Sequence, residues 1–207
     1  NTLGTASMKV TAYGQHRGGP GTIYLEECLD WAGSLGCTKI GDHSTGELYI
    51  DNENRNYESA AIGELVNSSV SNYYFALVSM KRSGNLNVVG QTSNFTVIDP
   101  TSIVGDSTYP RLTTYGTFSG PQTLDINGIN INIQGEIALG TDTSTSTVNI
   151  GNLLQGGLTL NANTWAHNQE NQYAFAEINV GNYGVLTLSS YDNADATYTN
   201  DFGLTLE

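Results

Sequence analysis

The sequence predicts an all-β fold, specifically a β-sandwich, on three observations. Apolar residues alternate with polar ones along most of the chain, which is the period of a strand with one buried face. Clusters of Gly, Asn, Asp and Ser separate these segments, and the 207 residues include 24 glycines. Helical periodicity is nearly absent: only residues 60–66 have apolar spacing suited to a short helical turn. Many short strands joined by turns are typical of sandwiches and barrels.

The first half of the chain contains four predicted strands. Residues 7–13 alternate through Met8, Val10 and Ala12. In residues 73–80 both faces are apolar, which indicates a strand buried at the centre of a sandwich. The other predicted strands of this half are residues 47–51 and 94–98.

The second half opens with a shift in the phase of the alternation. Apolar residues are even-numbered up to Ile126 and odd-numbered from Ile129 onward, and the shift falls at Asn127 and Gly128. A two-residue hairpin turn produces such a shift, and Asn-Gly is the preferred pair for a type I′ turn. The alternative is a bulge at Gly128 inside one long strand. Further strands are predicted at residues 147–150, 157–160, 173–180, 185–189 and 201–207.

Charge and composition divide the chain near residues 100–110. All seven Lys and Arg residues lie in the first 111 positions, and the last 96 residues hold nine acidic residues and no basic one. We predict two immunoglobulin-like or jelly-roll-like domains, residues 1–99 and 111–207, joined by a linker at residues 100–110. One sandwich with a long crossing loop is the alternative. No internal repeat indicates a solenoid, although the Gly, Asn and Thr content of the second half would fit one.

The net charge of −13 excludes several classes of partner. Nucleic acid and anionic membranes bind through Lys and Arg, which are scarce here. No apolar run approaches the roughly 18 residues of a membrane span. No signal peptide opens the sequence, so we expect a mature form if the protein is extracellular.

The two cysteines and two sequons point to an extracellular or cell-surface setting. Cys28 and Cys37 do not have zinc-site spacing, and we expect a disulfide that closes a hairpin or loop, worth about 2–3 kcal/mol. Two reduced, buried thiols are the alternative. Asn67 and Asn94 each begin an N-x-[ST] sequon and are candidates for N-glycosylation.

No pattern of residues predicts catalysis, and we expect a protein that is not an enzyme. Residues 41–46 place His next to Ser, but they do not form G-x-S-x-G, and neighbours on a strand face opposite ways. We expect no cofactor, with calcium as the alternative. Acidic and amide side chains concentrate in residues 141–143 and 192–201, although neither segment has EF-hand spacing.

Residues 71–97 resemble part of a known family. SNYYFALVS at residues 71–79 and QTSNFTV at residues 91–97 look like the last two strands of an immunoglobulin-like domain. They are similar to the Ser/Thr-rich, cell-wall-associated domain of fungal surface proteins, in which YY-x-x-x-V-S precedes S-x-x-F-T-V. The resemblance implies an extracellular immunoglobulin-like fold and no catalytic residues. The two cysteines are not part of that pattern.

These observations favour a non-catalytic extracellular structural protein. We expect a subunit of a surface filament, pilus or adhesive layer whose partners are copies of itself. Fibre subunits often add a terminal strand to a neighbour's sheet, and Met8, Val10 and Ala12 mark a candidate donor strand. The alternative is a carbohydrate-binding, lectin-like adhesin module that uses Trp165 or tyrosines to stack on glycans.

Overall fold

The structure, a computed structural model, describes residues 21–25, 47–52, 62–65, 72–90, 92–106, 108–161, 172–189 and 203–206. Within these ranges the regular secondary structure is nineteen strands and one 3₁₀ turn, η1, at Thr143–Thr145. The all-β prediction is therefore confirmed. The helical turn expected at residues 60–66 is wrong, because Ile62–Leu65 is a strand.

The strands are numbered in chain order. They are β1 Gly21–Leu25, β2 Glu47–Asp51, β3 Ile62–Leu65, β4 Asn72–Phe75, β5 Leu77–Lys81, β6 Asn85–Val88, β7 Asn94–Val97, β8 Ile103–Val104, β9 Arg111–Thr114 and β10 Thr117–Gly120. They continue with β11 Thr123–Ile126, β12 Asn130–Ile133, β13 Ile137–Leu139, β14 Thr147–Ile150, β15 Gly156–Asn161, β16 Gln172–Phe175, β17 Glu177–Val180, β18 Gly184–Ser189 and β19 Gly203–Leu206.

The chain winds as a parallel β-solenoid with three sides. Side A stacks β2, β5, β8, β11, β14 and β17, and side B stacks β3, β6, β9, β12, β15 and β18. Side C stacks β4, β7, β10 and β13, then β16 and β19, with η1 between the two groups. Four complete turns run from β5 to β16, and β2–β4 and β17–β19 flank them.

This architecture overturns the predicted β-sandwich and its immunoglobulin-like or jelly-roll-like domains. In the described residues every strand pair is parallel except β1 with β2, whereas sandwich strands pair mostly antiparallel. Both folds bury one face of each strand and so produce the same alternation. The pairs β5–β8 and β6–β9 each join a strand that precedes residue 100 to a strand that follows it.

The core consists of columns of side chains that point inward from stacked strands. One column on side B contains Leu86, Leu112, Ile131, Leu158 and Leu186. Its spacing shows that successive turns contain 26, 19, 27 and 28 residues. A repeat of fixed period is therefore absent from the sequence, although the structure repeats.

Aromatic rings fill side C near its N-terminal end. The ring centroids of Phe75 and Phe95 are 5.2 Å apart, and those of Phe95 and Phe118 are 6.2 Å apart. All three side chains are buried. Such pairs stabilise a fold by about 0.5–1.5 kcal/mol beyond the burial of their area.

Asn127 and Gly128 form a corner between sides A and B, so both the predicted hairpin and the alternative bulge are wrong. β11 and β12 do not pair with each other, because β11 pairs with β14 while β12 pairs with β9 and β15. Gly128 has φ +74°, and a Cβ there would lie 2.6 Å from the carbonyl oxygen of Gly105 in the turn below. Left-handed backbone and close stacking both favour glycine here.

Candidate functional site

The last turn of the solenoid leaves part of its core exposed. Val180 ends a side A column and is 49% exposed, whereas Ile150 directly beneath it is 0% exposed. Leu188 ends a side B column and is 47% exposed above the fully buried Leu160. We use the name C-terminal edge for the edges of β17 and β18 that lie away from β14 and β15, together with Val180 and Leu188.

Within the described residues, β17 and β18 are both end strands of their sheets. β17 is the last strand of the β11–β14–β17 sheet, and β18 is the last of the six-stranded sheet on side B. Among the residues that the structure describes, none forms a strand beyond either of them. Unpaired N–H and C=O groups along such an edge are a template for an added strand.

Side chains on the outer face of side A hold the last turn in register. The Asn179 side-chain amide donates to Asn149 Oδ1 at 3.0 Å, and that of Asn149 donates to Asp125 Oδ1 at 2.8 Å. This ladder crosses three turns and ends in β17. The edge is therefore fixed to the turns beneath it by side chains as well as by backbone.

Further exposed apolar side chains lie beside the edge. Tyr183, at the corner between β17 and β18, and Val185, at the start of β18, are both more than half exposed. Leu153 and Leu154 lie at the same corner one turn below, where their backbone N–H groups donate to Asn127 Oδ1 at 2.9 and 3.4 Å. The apolar surface at this end thus extends beyond the open columns.

An open groove lies at the corner between sides B and C. Val89, Gly90, Thr92 and Tyr115 line it, and its volume is about 390 Å³. Tyr115 lies one turn above Val89, and its N–H donates to the Val88 carbonyl at 3.2 Å. The lining is mostly apolar, and the Tyr115 ring is of the kind that can stack on a sugar.

Most of the residues predicted as sites lie outside the described ranges. These are Cys28 and Cys37 of the expected disulfide, the sequon at Asn67, and Met8, Val10 and Ala12 of the donor strand. Asn94 is half-buried at the start of β7, and its Oδ1 accepts from Ser119 Oγ at 2.8 Å. Its glycosylation stays a prediction.

Of the two segments considered for calcium, only residues 141–143 are described. Asp142 Oδ1 accepts from the backbone N–H and hydroxyl of Ser144 at 3.0 and 2.8 Å, which caps η1. Within the described residues no three His, Cys, Asp or Glu side chains come together as metal ligands.

The sequence predicted a donor strand, which stays a prediction, but it gave no indication of the C-terminal edge. Val180 and Leu188 show the same alternation as their buried counterparts one turn earlier. The absence of Lys, Arg and Pro from β17 and β18 does not mark them either, because most of the buried strands also lack these residues.

Comparisons with known proteins identify no relative: no family model, no curated protein and no solved structure matches the chain. The fold therefore defines the class, a parallel β-solenoid. No helix in the described part of the chain is long and apolar enough to cross a membrane.

Proposed function

We propose that this protein is a non-catalytic structural subunit of an extracellular filament, pilus or adhesive layer that assembles by β-strand addition. The observation that carries the proposal is the C-terminal edge, where Val180 and Leu188 end buried columns and are about half exposed. An added strand would extend one of the two sheets by one layer and cover the exposed side chain at its end.

The energetics of the edge support assembly. Full burial of a Val or Leu side chain stabilises by about 1.5–3 kcal/mol, so covering the exposed half of one such residue contributes about 1 kcal/mol. An added strand also forms backbone hydrogen bonds along β18, which has six residues. The one charged residue in β17 and β18 is Glu177, at the start of β17.

Features of the sequence support an extracellular setting. The 96 residues after Arg111 contain no Lys or Arg and so offer no cleavage site to trypsin-like proteases. The pair of cysteines and the two sequons are consistent with an oxidising, glycosylating compartment.

Electron microscopy and sedimentation of the purified chain test this function. We expect filaments or a concentration-dependent series of oligomers. Leu188→Lys places a charge at the open column and should raise the critical concentration at least about tenfold, which corresponds to only about 1.4 kcal/mol. Thr187→Lys is the matched control, because Thr187 is exposed on the outer face of the same strand. A wild-type chain that stays monomeric at all accessible concentrations would overturn the proposal.

The groove lined by Val89, Gly90, Thr92 and Tyr115 supports a second candidate, a carbohydrate-binding adhesin module. A glycan array with calcium and with a chelator tests it. Binding that Tyr115→Ala abolishes, in a protein that remains monomeric, would favour this candidate over the structural subunit.

A further inference from the structure

We propose that the strand added at the C-terminal edge is residues 7–13 of a second copy of this chain, and that it pairs with β18. This inference names the partner of the edge and rests on the proposed function. Four features support it: the spacing of apolar residues, the reach of the N-terminal segment, the composition of the connection between β18 and β19, and the distribution of charge.

The apolar spacing of the segment matches that of the acceptor. Met8, Val10 and Ala12 recur every second residue, as do the inward-facing Leu186 and Leu188 of β18. When Met8, Val10 and Ala12 are centred on β18, Val10 lies over Leu186 whether the segment runs parallel or antiparallel to β18. Lys9 and Thr11 then face outward.

The reach of the segment requires a second copy. β1 pairs with β2 at the opposite end of side A, and five more turns lead from β2 to β17. A strand added beyond the last turn is therefore seven strand spacings from β1, about 34 Å at about 4.8 Å each. The eight steps from Tyr13 to Gly21 span at most about 29 Å when fully extended. Residues 7–13 therefore cannot pair fully with the edge of their own chain.

The connection between β18 and β19 lacks the aliphatic residues that form the side B column. Residues 190–202 contain three aspartates, two tyrosines and Phe202, but no Val, Ile, Leu or Met. A strand from this connection would offer the open aliphatic columns no aliphatic side chain larger than alanine.

Charge favours contact between opposite ends of two copies. The donor segment carries Lys9, whereas the chain beyond Arg111 has nine acidic residues and no basic one, including the exposed Glu177 of β17. Two C-terminal ends meeting each other would bring together like charges. A donor at one end and an acceptor at the other form a heterologous contact, which extends into an open fibre.

Two variants, each of which keeps only the donor segment or only the acceptor edge, test the inference. A chain lacking residues 1–13 keeps only the acceptor edge, and Leu188→Lys in the full chain keeps only the donor segment. We expect each alone to be monomeric and their equimolar mixture to form a 1:1 dimer that grows no further, measured by sedimentation velocity. A wild-type-like circular dichroism spectrum of each variant checks that it folds.

Substitutions within the segment provide a second test that leaves the chain intact. Val10→Lys should prevent assembly, whereas Thr11→Lys on the opposite face should not. A synthetic peptide of residues 5–14 should stop wild-type growth, and the same peptide with Val10→Lys should not.

The outcomes separate this inference from the function on which it rests. If the truncated chain still forms filaments, or if the mixture yields no dimer, residues 7–13 are not the donor, although strand addition by another segment survives. If the wild-type chain never assembles, the proposed function itself fails.

Discussion

The two ends of side A place related residues in opposite environments. Ile50 and Val180 belong to the same inward-facing side of the stack, yet Ile50 is 1% exposed and Val180 is 49% exposed. The difference coincides with β1, which pairs antiparallel with β2 beyond Ile50, whereas no described strand lies beyond Val180. A solenoid turn buries its core only against its neighbours, so an end needs either a cap or a partner.

The antiparallel direction of β1 makes it suitable as a cap. Every other strand pair described continues the winding in parallel, and β1 interrupts that pattern. At the N-terminal end of side A, β1 therefore covers β2 and interrupts the parallel stacking, whereas no described strand covers β17 or β18. The two ends are chemically different, which would give the proposed assembly a direction.

The largest effect is expected from shortening one inward-facing side chain at each end of side A, in two separate variants. Ile50→Ala should lower the free energy of unfolding by about 2–5 kcal/mol, because it leaves a cavity in packed core. Val180→Ala should cost about 0.5 kcal/mol or less in the monomer, because solvent already reaches the side chain. Urea unfolding followed by circular dichroism at a concentration below assembly measures both, and equal losses would show that the two ends are packed alike.

A corner that packs against the backbone of the neighbouring turn should tolerate an added methyl group less well than a corner that faces a flexible side chain. Gly128→Ala introduces a Cβ at φ +74° against the Gly105 backbone, and we expect a loss of about 1–3 kcal/mol. Gly140→Ala is the control, since Gly140 also has positive φ (+59°) but its Cβ would meet the side chain of Gln122, which can move. Thermal unfolding of the two variants should place Gly128→Ala lower; the reverse order would argue against close stacking of the corners.

The alternation of side chains was predictable from sequence, but the partner of each strand was not. Inward residues are two apart within a strand and three apart across a corner, as between Phe75 and Val78. A hairpin shifts the phase in the same way, which is why Asn127 and Gly128 suggested one. The corner at Ala76 divides residues 73–80 between β4 and β5, whereas the sequence suggested one continuous strand with two apolar faces.

Long-range information decides between these interpretations. A hairpin pairs residues that are close in sequence, whereas here Leu112 pairs with Ile131, nineteen residues later, and Ile131 with Leu158, twenty-seven later. Such unequal turns conceal the repeat. The candidate site was hidden for a related reason: Leu188 and Leu160 have equivalent local patterns, and only their position in the stack separates exposed from buried.

A smaller effect is expected from the ion pair that joins the first two turns at the N-terminal end. Arg82 Nε donates to Asp51 Oδ1 at 2.5 Å, and its Nη2 bonds the other carboxylate oxygen. Both side chains are about one-third exposed, so solvent weakens the attraction. Asp51→Asn should cost about 1 kcal/mol or less, measured by urea unfolding at low and high salt. Unchanged stability in low salt would mean that this pair does not connect the turns energetically.

The smallest expected effect is a titration on the outer face of β2. Tyr49 donates a hydrogen bond to Glu47, and this bond, followed by partial burial and the nearby carboxylate charge, raises the pKa of the Tyr49 phenol. Glu47→Ala removes the bond and the charge and should lower the pKa of Tyr49 toward its ordinary value, with the remaining increase due to burial. Ultraviolet absorbance of the phenolate measures the change, with Tyr49→Phe to assign the signal.

The direction of the Tyr49 pKa also sets the sign of its contribution to stability. Because the pKa is raised in the folded chain, the contribution is fully present below the pKa of an unfolded tyrosine and is lost as pH rises through the folded value. Alkaline pH should therefore lower the free energy of unfolding more in the wild type than in Tyr49→Phe. The proposed assembly at the C-terminal edge would depend on apolar contact and backbone pairing, so Glu47→Ala should leave the critical concentration unchanged. A shift in that concentration would show that the two ends are coupled through the solenoid rather than independent.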